Sequence, residues 1–207
     1  MFLLASYYKL TQGLLNYALL LFLFALLSSC ASSQKTDFYQ LQEATNRTLV
    51  GVEKGSVIGI GPISLPEYIN RPQIITRDSK HHFNVSEFNR WIEPVDDSIG
   101  RLLVISFANN LNSNRVYWLP RSERQFPLDL RIAIDIGRFD GQLGKQVVLE
   151  TRWTIFDRQD KPLLTKISLL KESVDGQSYD ALVIAMNKSL QHLVNEISQA
   201  AQLWLQK

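Results

Sequence analysis

The sequence predicts a single domain of mixed α/β class, with a mostly antiparallel or mixed sheet packed against two main helices. The first observation is a strict alternation of apolar and polar side chains over residues 128–137, which is typical of a strand with one buried face. The second is the same alternation over residues 147–155. The third is an apolar stripe at three- and four-residue spacing over residues 179–204, which indicates a long amphipathic C-terminal helix.

The first half of the chain predicts short strands and one helix. The helix follows from apolar side chains that recur every three or four residues after Pro94, and from Asp96 and Asp97, which suit the positive end of a helix. Segments rich in β-branched and aromatic residues predict the strands. The predicted elements are strands at 38–41 and 56–62, a hairpin of 73–77 with 82–86, and the helix that begins at Pro94.

The second half predicts an antiparallel meander and the terminal helix. Residues 163–174 form the third strand of the meander, because only short turns separate it from the two alternating segments. Ser178 is the predicted cap of the terminal helix. A coiled coil is the competing interpretation of the apolar stripe. Packing on the sheet is favoured, because the meander has an apolar face to cover and the stripe drifts away from strict heptads.

Composition and charge exclude several classes of protein. With 207 residues, 45% hydrophobic and 20% charged, the chain is a folded globular protein with one core as the default. Its formal charge of +2 is too small to indicate a nucleic-acid partner. Its single cysteine excludes an intrachain disulfide framework and a zinc cluster built on cysteines.

The N-terminus predicts a lipid anchor. Residues 18–27 are apolar without interruption, which is the length of a signal-peptide core and short of the roughly 20 residues that a spanning helix needs. The run ends in Leu-Ser-Ser-Cys30, which resembles the lipobox of bacterial lipoprotein signal peptides, in which the cysteine thiol receives the diacylglycerol and fatty-acyl chains such as palmitate follow. The alternative is an ordinary signal peptide with a chance cysteine near its cleavage site. We expect a signal peptide at 1–29, a lipidated Cys30 with a short tether at 30–36, and a periplasmic domain at 37–207.

No catalytic or metal site emerges from the sequence. Ser64 lacks the glycine-flanked turn of a nucleophile elbow, so it predicts no catalytic triad. His81 and His82 are adjacent and would point to opposite sides of a strand, and His192 has no companion ligand on its helix. We therefore expect a non-enzymatic protein without cofactor or metal.

Two segments at 63–77 and 88–94 are dense in proline, aromatic and arginine residues. They resemble signature stretches of the PqiC-type (paraquat-inducible protein C) ABC-type transport auxiliary lipoproteins: a strand ending in Gly-Pro, then Leu-Pro-x-Tyr followed by Arg-Pro-Gln-Ile and Thr-Arg, then Arg-Trp-x-Glu-Pro opening a helix. The candidate partner-binding residues in these segments are Leu65, Pro66, Tyr68, Arg71, Pro72, Arg77, Arg90 and Trp91.

The resemblance implies a function that composition and periodicity do not show. Such a protein is an outer-membrane lipoprotein that faces the periplasm and works with an MCE (mammalian cell entry) type protein and an inner-membrane component to move lipids across the envelope. Ala31, which follows Cys30, is not the Asp that retains such lipoproteins in the inner membrane. The other functional hypothesis is a lipoprotein that scaffolds or assembles another envelope complex and never contacts transported lipid.

The two segments leave two structural interpretations open. Proline, tyrosine, tryptophan and arginine suit a stiff partner-binding surface. Alternatively, the prolines and Trp91 pin the loop to the core, while its arginines pair with Glu67, Glu87 or Glu93. Repeating a weak contact around a ring multiplies avidity, so we also expect a homo-oligomeric ring.

Overall fold

The computed structural model describes Tyr17 and residues 34–42, 54–120 and 127–205. The chain divides into two units, residues 1–35 and residues 36–207, and the second contains the sheet and both helices described below. Cys30 lies outside the described residues, as does the predicted signal peptide apart from the helical Tyr17. Among the described residues, no helix has the length and apolar character required to cross a membrane.

The second unit is a mixed α/β domain, as the sequence predicts, in which one sheet packs against two helices. The strands in the described residues are β1 (Asp37–Tyr39), β2 (Ile58–Ser64), β3 (Gln73–Arg77), β4 (Phe83–Trp91), β5 (Val116–Trp118), β6 (Leu130–Gly141), β7 (Gln146–Phe156) and β8 (Pro162–Ser173), and the helices are α1 (Val95–Asn110) and α2 (Tyr179–Leu205).

The sheet is built around β6. On one edge of β6 lies β7, antiparallel, and β8 continues this meander beyond β7. The other edge is shared: β2 runs parallel to the first half of β6, and β3 meets its end at Gly141. Beyond β2 lies the parallel strand β5, and beyond β3 lie β4 and then β1. Parallel and antiparallel pairs therefore coexist, and the sequence-predicted meander forms the antiparallel half.

Both helices cover the apolar face of the sheet. Alternate side chains of β6, among them Ile132, Ile134 and Ile136, are buried in one core cluster with residues of both helices. The stripe of α2 lies on the meander and on α1, so packing on the sheet is the correct interpretation and the coiled coil is wrong. Ser178 caps α2 as predicted, because its hydroxyl accepts a hydrogen bond from the backbone N–H of Ala181 at 3.1 Å.

Three elements differ from the sequence prediction. β6 extends past Gly137 to Gly141, with a bulge between Ile136 and Arg138 that interrupts the alternation. β4 extends through Trp91, so residues 88–91 belong to the sheet and not to a loop. β5 was not predicted, because three residues are too short for a pattern; it forms by parallel pairing with β2, where Gly61 passes so close to Leu119 that a Cβ would collide with its carbonyl.

Candidate functional site

The connection between β2 and β3, residues 65–72, has an anchored side and an exposed side. The carbonyl of Pro66 accepts a hydrogen bond from the N–H of Ile69 at 3.1 Å, and that of Ile69 accepts one from Arg71 at 2.9 Å, which fixes a tight turn. Leu65 and Tyr68 pack partly against the core. Arg71 and Pro72 are exposed. The turn therefore presents the exposed Arg71 on a backbone that is fixed by hydrogen bonds and by packing on the core.

The anchor of this loop is a buried carboxylate, Asp140 of β6, whose side chain is 0% exposed. Its Oδ2 accepts hydrogen bonds from the Tyr68 hydroxyl at 2.9 Å and from Arg77 Nη2 at 2.8 Å. Its Oδ1 accepts from Arg77 Nε at 2.8 Å and from Arg138 Nε and Nη2 at 3.1 and 2.9 Å. Loop 65–72, β3 and β6 are thus joined at one carboxyl group.

This network shifts the pKa values of its members in directions set by their environments. Burial alone would raise the pKa of Asp140, but the hydrogen bonds from Arg77, Arg138 and Tyr68 outweigh it and hold that pKa below the ordinary value. Burial and the neighbouring carboxylate raise the pKa of Tyr68 to about 12. Asp140 is therefore ionised and Tyr68 is a neutral donor at physiological pH.

Aromatic contacts complete the anchor. The guanidinium carbon of Arg77 lies 4.0 Å from the centre of the Phe83 ring, and that ring lies 5.1 Å from the Tyr68 ring at an interplanar angle of 49°. A cation over an aromatic face and a tilted aromatic pair each contribute favourably. Tyr68 and Arg77 therefore make these contacts within the domain, and the contacts hold loop 65–72 in place.

Trp91 belongs to the core. It is 6% exposed, packs in the main apolar cluster, and donates its backbone N–H to the carbonyl of Pro72 at 2.7 Å. This contact ties the end of β4 to the end of the loop. Of the two interpretations of Trp91, the structure therefore supports the core anchor, with one edge of the residue lining the groove described next.

A surface groove of about 560 Å³ lies beside the loop. Its lining includes Arg71 and the apolar side chains of Pro72, Trp91, Ile92 and Pro94. Ile92 is 58% exposed. The groove thus combines apolar surface with the exposed guanidinium of Arg71, for which no carboxylate in the described residues lies at ion-pair distance.

Two acidic residues, Glu93 and Asp96, also line this groove. The Oε1 atom of Glu93 accepts hydrogen bonds from Ser98, from Gln40 at 2.8 Å and from Arg101. These bonds, that of Ser98 foremost, keep the pKa of Glu93 below its ordinary value. Glu93 therefore pairs with Arg101 and not with the arginines of the loop, and Arg77 pairs with Asp140.

The structure sorts the predicted residues into separate roles. Tyr68 and Arg77 both bind Asp140 at the anchor, and Arg71, Pro72 and Trp91 line the groove. Leu65 and Pro66 are half-buried. Arg90 lies on β4 between Gln73 of β3 and Phe38 of β1 in the register of the sheet. Sequence reasoning missed Asp140 and Arg138, because the strand was expected to end at Gly137; an Arg-Phe-Asp alternation after that glycine is the signal that would have extended it. In the described ranges, no three His, Cys, Asp or Glu side chains cluster as a metal site.

Comparisons with known proteins agree with this fold. A family model described as "ABC-type transport auxiliary lipoprotein component" matches residues 39–198. The crystal structure of an uncharacterized protein superposes with a TM-score of 0.66 at 15% identity, over 81% of this chain and 99% of the other. A protein from Xanthomonas campestris superposes with a TM-score of 0.65 at 15% identity, over 83% of this chain and 97% of the other. No curated protein matches the sequence significantly.

Proposed function

Because this chain belongs to the family of ABC-type transport auxiliary lipoprotein components, we propose that it is a non-enzymatic subunit that docks a periplasmic MCE-type protein at the outer membrane. In this role the chain is anchored through Cys30 and faces the periplasm. The MCE-type protein and an inner-membrane component then complete a route for lipid across the envelope. The family supports an association with transport and with the envelope. The docking of an MCE-type protein at the outer membrane is our own proposal.

The observation that carries the docking proposal is the groove beside the anchored loop. Asp140, which is not exposed, fixes Tyr68 and hence the loop that presents Arg71. A preorganised backbone lowers the entropic cost of binding, and arginine beside apolar surface is typical of residues that dominate interfaces. A partner segment with an acidic side chain next to an apolar one fits this groove.

Reversing the charge of the loop is expected to weaken docking. Arg71→Glu leaves the fold intact, because the side chain is exposed, and it places a like charge against the acidic group of the partner. We expect a loss of at least about 10-fold in affinity, equivalent to about 1.4 kcal/mol. The measurement is the affinity of the detergent-solubilised lipoprotein for the purified MCE-type protein, determined by biolayer interferometry.

Arg152→Glu on β7 is the matched control, because it reverses an exposed charge that does not line the groove. Equal affinities for wild type, Arg71→Glu and Arg152→Glu would show that the groove is not part of the docking surface. Absence of any binding by wild type would favour the alternative function, a scaffold for another envelope complex. Crosslinking from residues 65–77 then identifies that partner.

We further propose that copies of this chain associate through β8. Among the described strands, β8 pairs only with β7, so the other edge of this 12-residue strand has no strand partner among them. Ile167 and Leu169 are 56% and 57% exposed beside that edge. A long free edge with exposed apolar side chains is a template for pairing with another chain, and repetition of one such contact between copies can close a ring.

Leu169→Lys is expected to shift the protein toward monomers, because burying an ammonium group in the contact is unfavourable and edge lysines block strand pairing. The measurement is the mass distribution of the solubilised protein by sedimentation velocity across a concentration series. Ile184→Lys on α2, which is 47% exposed in wild type, is the control. A wild type that stays monomeric throughout, or two variants that behave alike, would count against this interface.

A further inference from the structure

An apolar patch lies on β1 and the neighbouring part of β4. Phe38 is 58% exposed, and Phe88 is 39% exposed. Phe38 lies opposite Arg90 in the register of the two strands, and Phe88 lies two residues before Arg90. The Tyr39 hydroxyl donates a hydrogen bond to Asn89 Oδ1 at 3.0 Å, so Asn89 lies on the face of Tyr39. Since side chains alternate along a strand, Phe38, Phe88 and Arg90 share the other face. We call them the outer patch.

The register of the neighbouring residues supports this orientation. Tyr39 and Trp91 are the next partners in the two strands, and both pack toward the core cluster on the opposite face. The backbone N–H of Ile92 donates to the carbonyl of Tyr39 at 2.9 Å, which extends the ladder by one residue. The outer patch is therefore set on a paired and rigid backbone.

The short sequence between Cys30 and β1 limits how far the outer patch can lie from the lipid anchor. Cys30 and Asp37 are seven residues apart, which is at most about 25 Å for a fully extended chain. A domain of about 170 residues has a radius of gyration of about 15 Å, so its diameter of about 40 Å exceeds that reach. The start of β1 is therefore held within about 25 Å of the bilayer surface, a distance shorter than the diameter of the domain.

We propose that the outer patch rests on the lipid surface to which the chain is anchored. The aromatic side chains of the patch enter the boundary between headgroups and acyl chains, and the Arg90 guanidinium reaches lipid phosphates. This assigns Arg90 to the bilayer and leaves Arg71 for the protein partner. The inference rests on the proposed lipid anchor at Cys30.

The test uses the full lipoprotein in vesicles. Because lipidation consumes the thiol of the only cysteine, Phe38→Cys and Leu203→Cys each introduce one reactive thiol, which is labelled with bimane. Leu203 is 67% exposed and is the control, because it lies 24 residues along α2 from Tyr179, about 36 Å at 1.5 Å per residue. The ring of Tyr179 is 6.4 Å from that of Tyr39, so this end of α2 adjoins β1. The vesicles contain phosphatidylethanolamine, phosphatidylglycerol and a nitroxide-labelled lipid as quencher.

We expect severalfold stronger quenching of bimane at position 38 than at position 203. Flotation of the unlabelled protein with vesicles, compared with Cys30→Ala, tests the anchor separately. If the protein floats but the two positions are quenched alike, the patch does not face the bilayer and the proposal fails while the anchor stands. If position 38 is not quenched but crosslinks to a second copy, a protein covers the patch and the proposal also fails. Wild type that does not float would overturn the anchor, and this proposal with it.

Discussion

Trp91→Ala is expected to destabilise the domain by about 3–5 kcal/mol, the usual cost of truncating a buried tryptophan. Trp91, the last residue of β4, is 6% exposed and packs in the main core cluster. Removing the indole leaves a cavity next to Ile74 and Val95, which line the same small void of about 10 Å³. The measurement is the free energy of unfolding from urea denaturation, with the m-value checked for constancy.

Two further variants separate packing from recognition. Phe88→Ala removes a 39% exposed ring from the same strand and should change the free energy of unfolding by less than about 0.5 kcal/mol. Trp91→Phe keeps most of the buried volume and should retain the affinity for the MCE-type partner. A large loss of affinity in Trp91→Phe without loss of stability would identify the indole as a contact, contrary to its burial.

The fold class was predictable because it depends on side-chain periodicity, and this periodicity is a pattern of residues that are close together in the sequence. The alternation of Ile132, Ile134 and Ile136 and the stripe of α2 each identify a buried face without knowledge of any other element. The parallel pairing of β2 with β5 and β6 is different, because it joins residues about 60 to 70 positions apart and leaves no local pattern.

The candidate site was predictable only in part, for a related reason. Composition identified the loop with Tyr68, Arg71 and Arg77, since proline, arginine and aromatic residues are concentrated there. The acidic partner of Arg77 was expected nearby in sequence, among glutamates. It is Asp140, 63 positions away, and nothing in an Asp flanked by Phe and Gly indicates that it is fully buried. The partner in an ion pair is set by tertiary packing, which residue types do not reveal.

Asp140→Asn is expected to cost about 3 kcal/mol, because removing one partner of a buried ion pair leaves the other charge uncompensated. The value lies at the lower end of the usual range, since Arg77 and Arg138 are 18% and 34% exposed and keep some hydration. The matched control is Asp160→Asn, which removes a 61% exposed carboxylate from Arg131 and should cost less than about 1 kcal/mol. Urea denaturation at pH 7 compares the three proteins.

The pH dependence of the same difference tests whether the charge of Asp140 is the cause. The folded-state pKa of Asp140 lies below its ordinary value, so its contribution is present above the unfolded-state pKa of about 3.9 and is lost as the pH falls through the folded-state pKa. The gap between wild type and Asp140→Asn should therefore stay constant from pH 7 to about pH 5 and shrink below pH 4. A gap that persists unchanged into strong acid would mean that Asn disrupts packing, and that the ionised carboxylate does not hold Tyr68 and the docking loop in place.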